Sequence, residues 1–299
     1  MTHRFHHAGP DGSVRSLNRA FVGGIALNVA FVAFEAAMGF LYDSVGLLSD
    51  AGHNLTDVAG LLLALAAFRL ERVHAAPRYT YGYRKSTVLI SLLNSLLLLL
   101  AVGVIVAEAI RRLIRPEPVE GGVIVWTAGA GIAVNGLTAW LFMKDKKRDL
   151  NVRGAFLHMV ADALVSVGVL VSGLVIGWTG WTIVDPVVGL VVAGVIVGSV
   201  WSLLRDSLRL SLDGVPRGID PGELTRRMLA AEGVLEVHHL HVWAISTTQN
   251  ALTAHVVIAS MAEAAAVKAA LRERLAEAGV GHVTLEFETK EEGCCGCCD

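Results

Sequence analysis

The chain has 299 residues, of which 54% are hydrophobic and only 17% charged. Soluble domains average about 25% charged residues, so an ordinary water-soluble globule is excluded and a membrane composition is indicated. The net charge of −2 singles out no class of partner, and all four Cys lie at the extreme C-terminus, where they cannot staple a core.

Met1 to Arg19 is polar and holds His3, His6 and His7. It lacks the short apolar core of a signal peptide and is expected to be a mobile arm. Apolar blocks then follow at 21–41, 45–70, 87–110, 122–143, 154–178 and 182–204. Each is close to the roughly 20 residues that a hydrocarbon core requires. The first carries Asn28 and Glu35, which are expected to face the protein interior because polar groups at that depth are costly. The third holds Asn94 and Glu108, and the fourth has Asn135 near its middle.

The links are short. Tyr42-Asp43-Ser44 reads as a tight outer turn, and Pro116 and Pro118 break the chain after the third span. Trp178 and Trp181, between the fifth and sixth, are of a type that favours the membrane–water interface. The segments 69–85 and 144–153 are rich in Lys and Arg, while the links after spans one and five have none. This asymmetry puts both termini in the cytosol. Arg111, Arg112 and Arg115 are the exception, since strict alternation places them outside.

From Pro216 the pattern changes. Asp220 to Ala231 reads as an amphipathic helix with Pro221 in its first turn. Val234 to Ile245, Ala251 to Ser260 and Val280 to Glu288 read as strands, and Ala262 to Ala278 as a helix stopped by Gly279. The expected fold is a six-helix, all-α transmembrane bundle followed by a cytosolic α+β domain of order α-β-β-α-β. The expected division is an arm at 1–19, a transport domain at 20–212, the cytosolic domain at 213–290 and a Cys-rich tail at 291–299.

His53 and Asp57 lie four residues apart in the second span, and His158 and Asp162 repeat those types and spacing in the fifth. Residues at that spacing share one helix face. A carboxylate at bilayer depth costs about 2.5–3.5 kcal/mol, so each needs a reason to be there. Two such helices facing each other supply two imidazole nitrogens and two carboxylates, a tetrahedral set suited to zinc. The bland alternative is two unrelated polar pairs bonding between helices; the repetition argues against it. Asp50 is either a carboxylate at the site's outer mouth or a helix-start acid. His74 reads as a solvated loop side chain.

The soluble domain is also rich in ligand types: His238, His239, His241, His255, His282, Glu286 and Glu288. Strict alternation puts His239 and His241 on one face of their strand and His238 on the other. Whether a site forms depends on sheet register, and exposed His on a sheet edge is the alternative. The tail Cys294-Cys295-Gly296-Cys297-Cys298 suits soft-metal capture in a reducing compartment, against the entropy of ordering a tail.

The stretch from Leu47 to Asp57 resembles the second-helix motif of the cation diffusion facilitator family, in its zinc-transporting branch. Tyr79 to Arg84, Pro116 to Val119, Asp185-Pro186, Val237 to Trp243 and Leu252 to His255 resemble further motifs of that family, which together cover nearly the whole chain. The resemblance implies a homodimeric exporter in the cell membrane (the inner membrane of a Gram-negative cell) that exchanges cytosolic Zn2+ for protons at His53, Asp57, His158 and Asp162. It implies a metallochaperone-like cytosolic domain with regulatory zinc at His238, His255, Glu286 and Glu288, where the last two depart from the family's more usual His/Asp arrangement. The link between spans two and three lacks the Asp/His cluster of some relatives. No organic cofactor and no nucleic-acid partner are expected.

Three rival readings remain. Cadmium, cobalt or iron would also fit the intramembrane ligands. A membrane-anchored metal sensor would make those ligands dispensable. An intramembrane metalloenzyme is disfavoured, because no His-Glu-x-x-His helix is present.

Overall fold

The computed structural model describes residues 11–41, 45–115, 121–147 and 149–290. The side chains of 11–19, 45–50, His53, Thr56 and 121–127 lie outside the described residues, as do the three N-terminal His, the 42–44 turn, the Pro116–Pro118 break and the Cys tail. Contacts divide the chain into two compact units: Met1–Arg69 with Leu93–Leu203, and Leu70–Leu92 with Leu204–Asp299.

Six long helices come first, as the apolar blocks require: α1 Asp11–Leu41, α2 Val45–Glu71, α3 Ser86–Ile114, α4 Gly121–Met143, α5 Leu150–Thr179 and α6 Val184–Ser211. Among the described residues, Ala20–Met38, Ser86–Ile114, Leu150–Thr179 and Val184–Ser211 are long and apolar enough to cross a bilayer, and Ala128–Met143 is a shorter apolar stretch. The chain is a membrane protein. α1 starts at Asp11, inside the stretch expected to be a mobile arm, so the polar N-terminal residues from there on extend the helix.

Local chemistry sets the ends of α5. The Asp149 carboxylate accepts from the backbone N–H groups of Asn151 at 2.7 Å and Val152 at 3.0 Å, capping its start. Gly180 adopts φ 73° at its end and donates its N–H to Ile176 O at 2.8 Å.

In the first unit, Phe21, Leu61, Ala64, Ala139, Phe142, Val152 and Met159 form one buried cluster from α1, α2, α4 and α5. The α1–α4 contact is close: a Cβ on Gly24 would stand 3.0 Å from Thr138 Cγ2. A second cluster joins Leu98 and Val102 of α3 to Ala161 of α5 and Ala193, Ile196 and Val200 of α6. Arg112 donates to Glu108 at 2.9 Å and Asp185 at 2.8 Å, and Arg111 donates to Glu108 at 2.8 Å. These two exceptions to the charge pattern are therefore neutralised by neighbouring carboxylates.

The second unit holds the α2–α3 link and the C-terminal domain. Gly82 adopts φ 68° in that link, where a Cβ would stand 2.8 Å from Val73 O, so only glycine closes the loop. Lys85 donates to Leu210 O, Asp213 Oδ1 and Ala244 O at 2.8, 2.5 and 3.1 Å. The domain follows the expected order: α7 Pro221–Leu229, β1 Val234–Ala244, β2 Asn250–Ile258, α8 Ala264–Glu277 and β3 His282–Glu288, with a 3-10 turn at Met261–Glu263. β2 is central, antiparallel to β1 and parallel to β3. Leu224 and Met228 of α7 and Val267, Leu271 and Leu275 of α8 bury against Val242, Leu252, Ala254, Val256 and Ile258. Both helices thus cover one face of the sheet.

Candidate metal centres

α2 and α5 bring three of the four expected intramembrane ligands together. His158 Nε2 lies 2.7 Å from Asp57 Oδ1 and 3.6 Å from Asp162 Oδ2. One ligand atom from each residue falls within 4.8 Å of the others. Tetrahedral bonds of about 2.0 Å put neighbouring ligand atoms about 3.3 Å apart, so these separations suit one small divalent ion. Asp57 is only 2% exposed, and its Oδ2 is buried with no hydrogen-bond partner among the described residues. A buried carboxylate oxygen left in that state is costly, and a cation relieves it. His53 is one turn before Asp57 on α2, and its side chain lies outside the described residues.

Support for this face comes from residues outside the His/Asp pairs. Asn54 Nδ2 donates to the buried Glu35 Oε2 at 2.7 Å, tying α2 to α1. Asn28 Nδ2 donates to Gly24 O at 2.9 Å and Thr138 Oγ1 at 3.1 Å, and touches Met159 Sδ at 3.8 Å. Asn28 and Glu35 thus face inward as expected. Asn54 was not picked out by sequence, although an amide beside a candidate ligand in an apolar span carries the same burial cost.

The second cluster sits on the sheet face opposite the helices. Glu288 contacts both imidazoles, with Oε1 against His255 Nδ1 and Oε2 3.2 Å from His238 Nε2. These three residues offer ligand atoms within 4.8 Å of one another. Glu286 stands at the other ring edge, its Oε2 3.5 Å from His255 Nε2, with its side chain 69% exposed. The parallel register makes this so: His255 lies opposite Glu286 and Val257 opposite Glu288.

One expectation from alternation fails here. The register slips between His238↔His255 and His241↔Thr253, and His239 adopts φ 51°. This is a β-bulge, one extra residue that changes which positions face outward. The His239 ring lies 5.2 Å from His255 and 5.7 Å from His241, and His238 lies 5.2 Å from His255. His238 therefore joins His239 and His241 instead of opposing them. His74 is exposed in its link, as a solvated side chain should be.

Comparison with known proteins agrees with this architecture. Residues 22–210 match the cation efflux transmembrane domain, and residues 216–290 match the cation efflux protein cytoplasmic domain. The chain is 39% identical to the zinc transporter ZitB of Escherichia coli over 86% of this chain and 81% of that one. It is 33% identical to a cadmium, cobalt and zinc/H(+)-K(+) antiporter of Bacillus velezensis, over 97% of this chain and 92% of that one. It is 34% identical to the metal cation efflux system protein CzcD of Cupriavidus metallidurans, over 94% and 89% respectively. The chain belongs to the cation efflux family, the cation diffusion facilitators. It is a membrane exporter of divalent metal cations.

Proposed function

We propose that this protein exports Zn2+ from the cytosol in exchange for protons, with His53, Asp57, His158 and Asp162 as the transport site. The observation that carries the reading is the convergence of Asp57, His158 and Asp162 from two helices within the apolar bundle. Two carboxylates neutralise a divalent ion, so the loaded site carries no net charge through a low-dielectric interior. Deprotonated ligands bind zinc in the inward-facing state. After α2 and α5 rock with their neighbours, the site opens outward, where protons compete for the same atoms because metal and proton exclude each other. The protonated site then returns, and the proton gradient drives export.

Both termini are cytosolic in this reading, with six passes, and residues 20–212 form the transport domain. Residues 213–290 dimerise two copies and hold regulatory zinc at His238, His255 and Glu288, with Glu286 at the rim. The arm at 1–19 and the tail at 291–299 flank them. The role is transport and not enzymatic chemistry.

A second cargo reading, cadmium or cobalt, is favoured by the names of the Bacillus relatives. Metal-by-metal uptake into inverted vesicles decides between them. Zinc uptake coupled to proton release supports the proposal, and uptake of other ions with zinc refused overturns the choice of cargo.

A further inference from the structure

We propose that Asn135 presents its side-chain carbonyl oxygen to the transported cation beside Asp162, directly or through one bound water, and sets the preference among divalent metals; this rests on the transport site proposed above. Asn135 is 3% exposed, and its Oδ1 is buried with no hydrogen-bond partner among the described residues. A buried amide oxygen without a donor carries a desolvation cost that native interiors rarely leave uncompensated.

Its level in the bundle follows from two contacts that bracket it. One turn along α4, Thr138 shares the Asn28 amide with Met159 of α5. One turn the other way, a Cβ on Gly131 would stand 3.0 Å from Ser166 Oγ of α5. α4 and α5 run antiparallel between these rungs. Asn135 is three residues from Thr138 and four from Gly131; Asp162 is three from Met159 and four from Ser166. The middle rung therefore sets Asn135 against Asp162. Positions 131, 135 and 138 fall on one stripe of α4. On α5, Asp162 falls between His158, which bonds to Asp57 of α2, and the Met159–Ser166 edge that meets α4.

An amide oxygen is a hard, neutral donor. It adds a ligand, or orients a metal-bound water, without adding charge. Zinc is content with four ligands, whereas ions that favour oxygen-rich, higher coordination gain more from a fifth. Asn135 thus broadens the range of ions that the His/Asp set accepts.

The test compares Zn2+ and Co2+ transport by the full-length protein in proteoliposomes, with Asn135→Leu and Asn135→Asp variants. Asn135→Leu is expected to shift the kcat/KM ratio toward Zn2+ by about tenfold, as loss of one charge-assisted contact does. Asn135→Asp keeps an oxygen and is expected to return the ratio toward Co2+. A wild-type ratio in folded Asn135→Leu overturns the inference, as does an Asn135→Asp ratio shifted toward Zn2+ as far as that of Asn135→Leu. Should neither variant fold, the visible spectrum of Co2+ bound to full-length His255→Ala protein, which retains only the intramembrane site, decides: a purely four-coordinate spectrum overturns it, and a five-coordinate one supports it. Wild-type protein that moves neither ion would instead overturn the transport reading itself.

Discussion

His158 Nε2 lies 2.7 Å from Asp57 Oδ1, so one hydrogen bond joins α5 to α2 across 101 residues of sequence. The bond and a cation compete for the same atoms. A nitrogen that donates a proton to Asp57 cannot offer its lone pair to a metal until that proton leaves.

Asp57→Asn keeps the shape of the side chain and removes its charge. Zinc-driven proton flux in proteoliposomes is expected to fall by more than about a hundredfold, and Asp162→Asn should match it. Flux at the wild-type rate in either would remove both carboxylates from the mechanism.

Zinc affinity at the intramembrane site should weaken as pH falls. Each ligand proton that zinc must displace raises Kd by about tenfold per pH unit. Calorimetric titration of a His255→Ala background isolates this site, and a Kd independent of pH would show that metal and protons do not share ligands.

On the sheet, Glu286 and Glu288 should behave differently. With the intramembrane site disabled by Asp162→Ala, remaining zinc binding is expected to be lost on Glu288→Ala. It should change less than about threefold on Glu286→Ala, since an exposed charge contributes little. Equal losses would mean that both carboxylates close on one ion.

Asn54→Leu should destabilise the bundle, because it removes the amide that donates to buried Glu35. Leaving a buried hydrogen-bonding group without its partner costs about 1–3 kcal/mol. The thermal midpoint in detergent should fall, and an unchanged midpoint would show that Glu35 is held by its other neighbours.

Leu271 is fully buried in the C-terminal core. Leu271→Ala should cost that core about 2–5 kcal/mol. Hydrogen exchange should quicken across 220–290 while zinc binding at the intramembrane site persists; slow exchange there would mean that the sheet and its helices do not depend on this contact.

Much of this was legible in the sequence because two periods dominate it. Apolar blocks gave the six helices, and alternating β-branched residues gave the strands. The paired His/Asp spacing singled out Asp57, His158 and Asp162. Three features were hidden. Helix α1 runs on to Asp11 through polar residues, where hydropathy gives no signal. The Glu35–Asn54 pair joins residues on different helices, which spacing along one chain does not relate. The bulge at His239 breaks the period of two on which the facing of His238 was judged.

That extra residue has a corollary for the strand. Val237, Leu240 and Val242 all belong to or pack against the helix-covered core, although their numbers change parity at the bulge. Excising His239 would restore the alternation from Val237 to Val242, with His238 still opposite His255. From His238 to His241 β1 is therefore one residue longer than its pairing with β2 demands, and this is a place where the chain can be shortened by one without inverting the sheet.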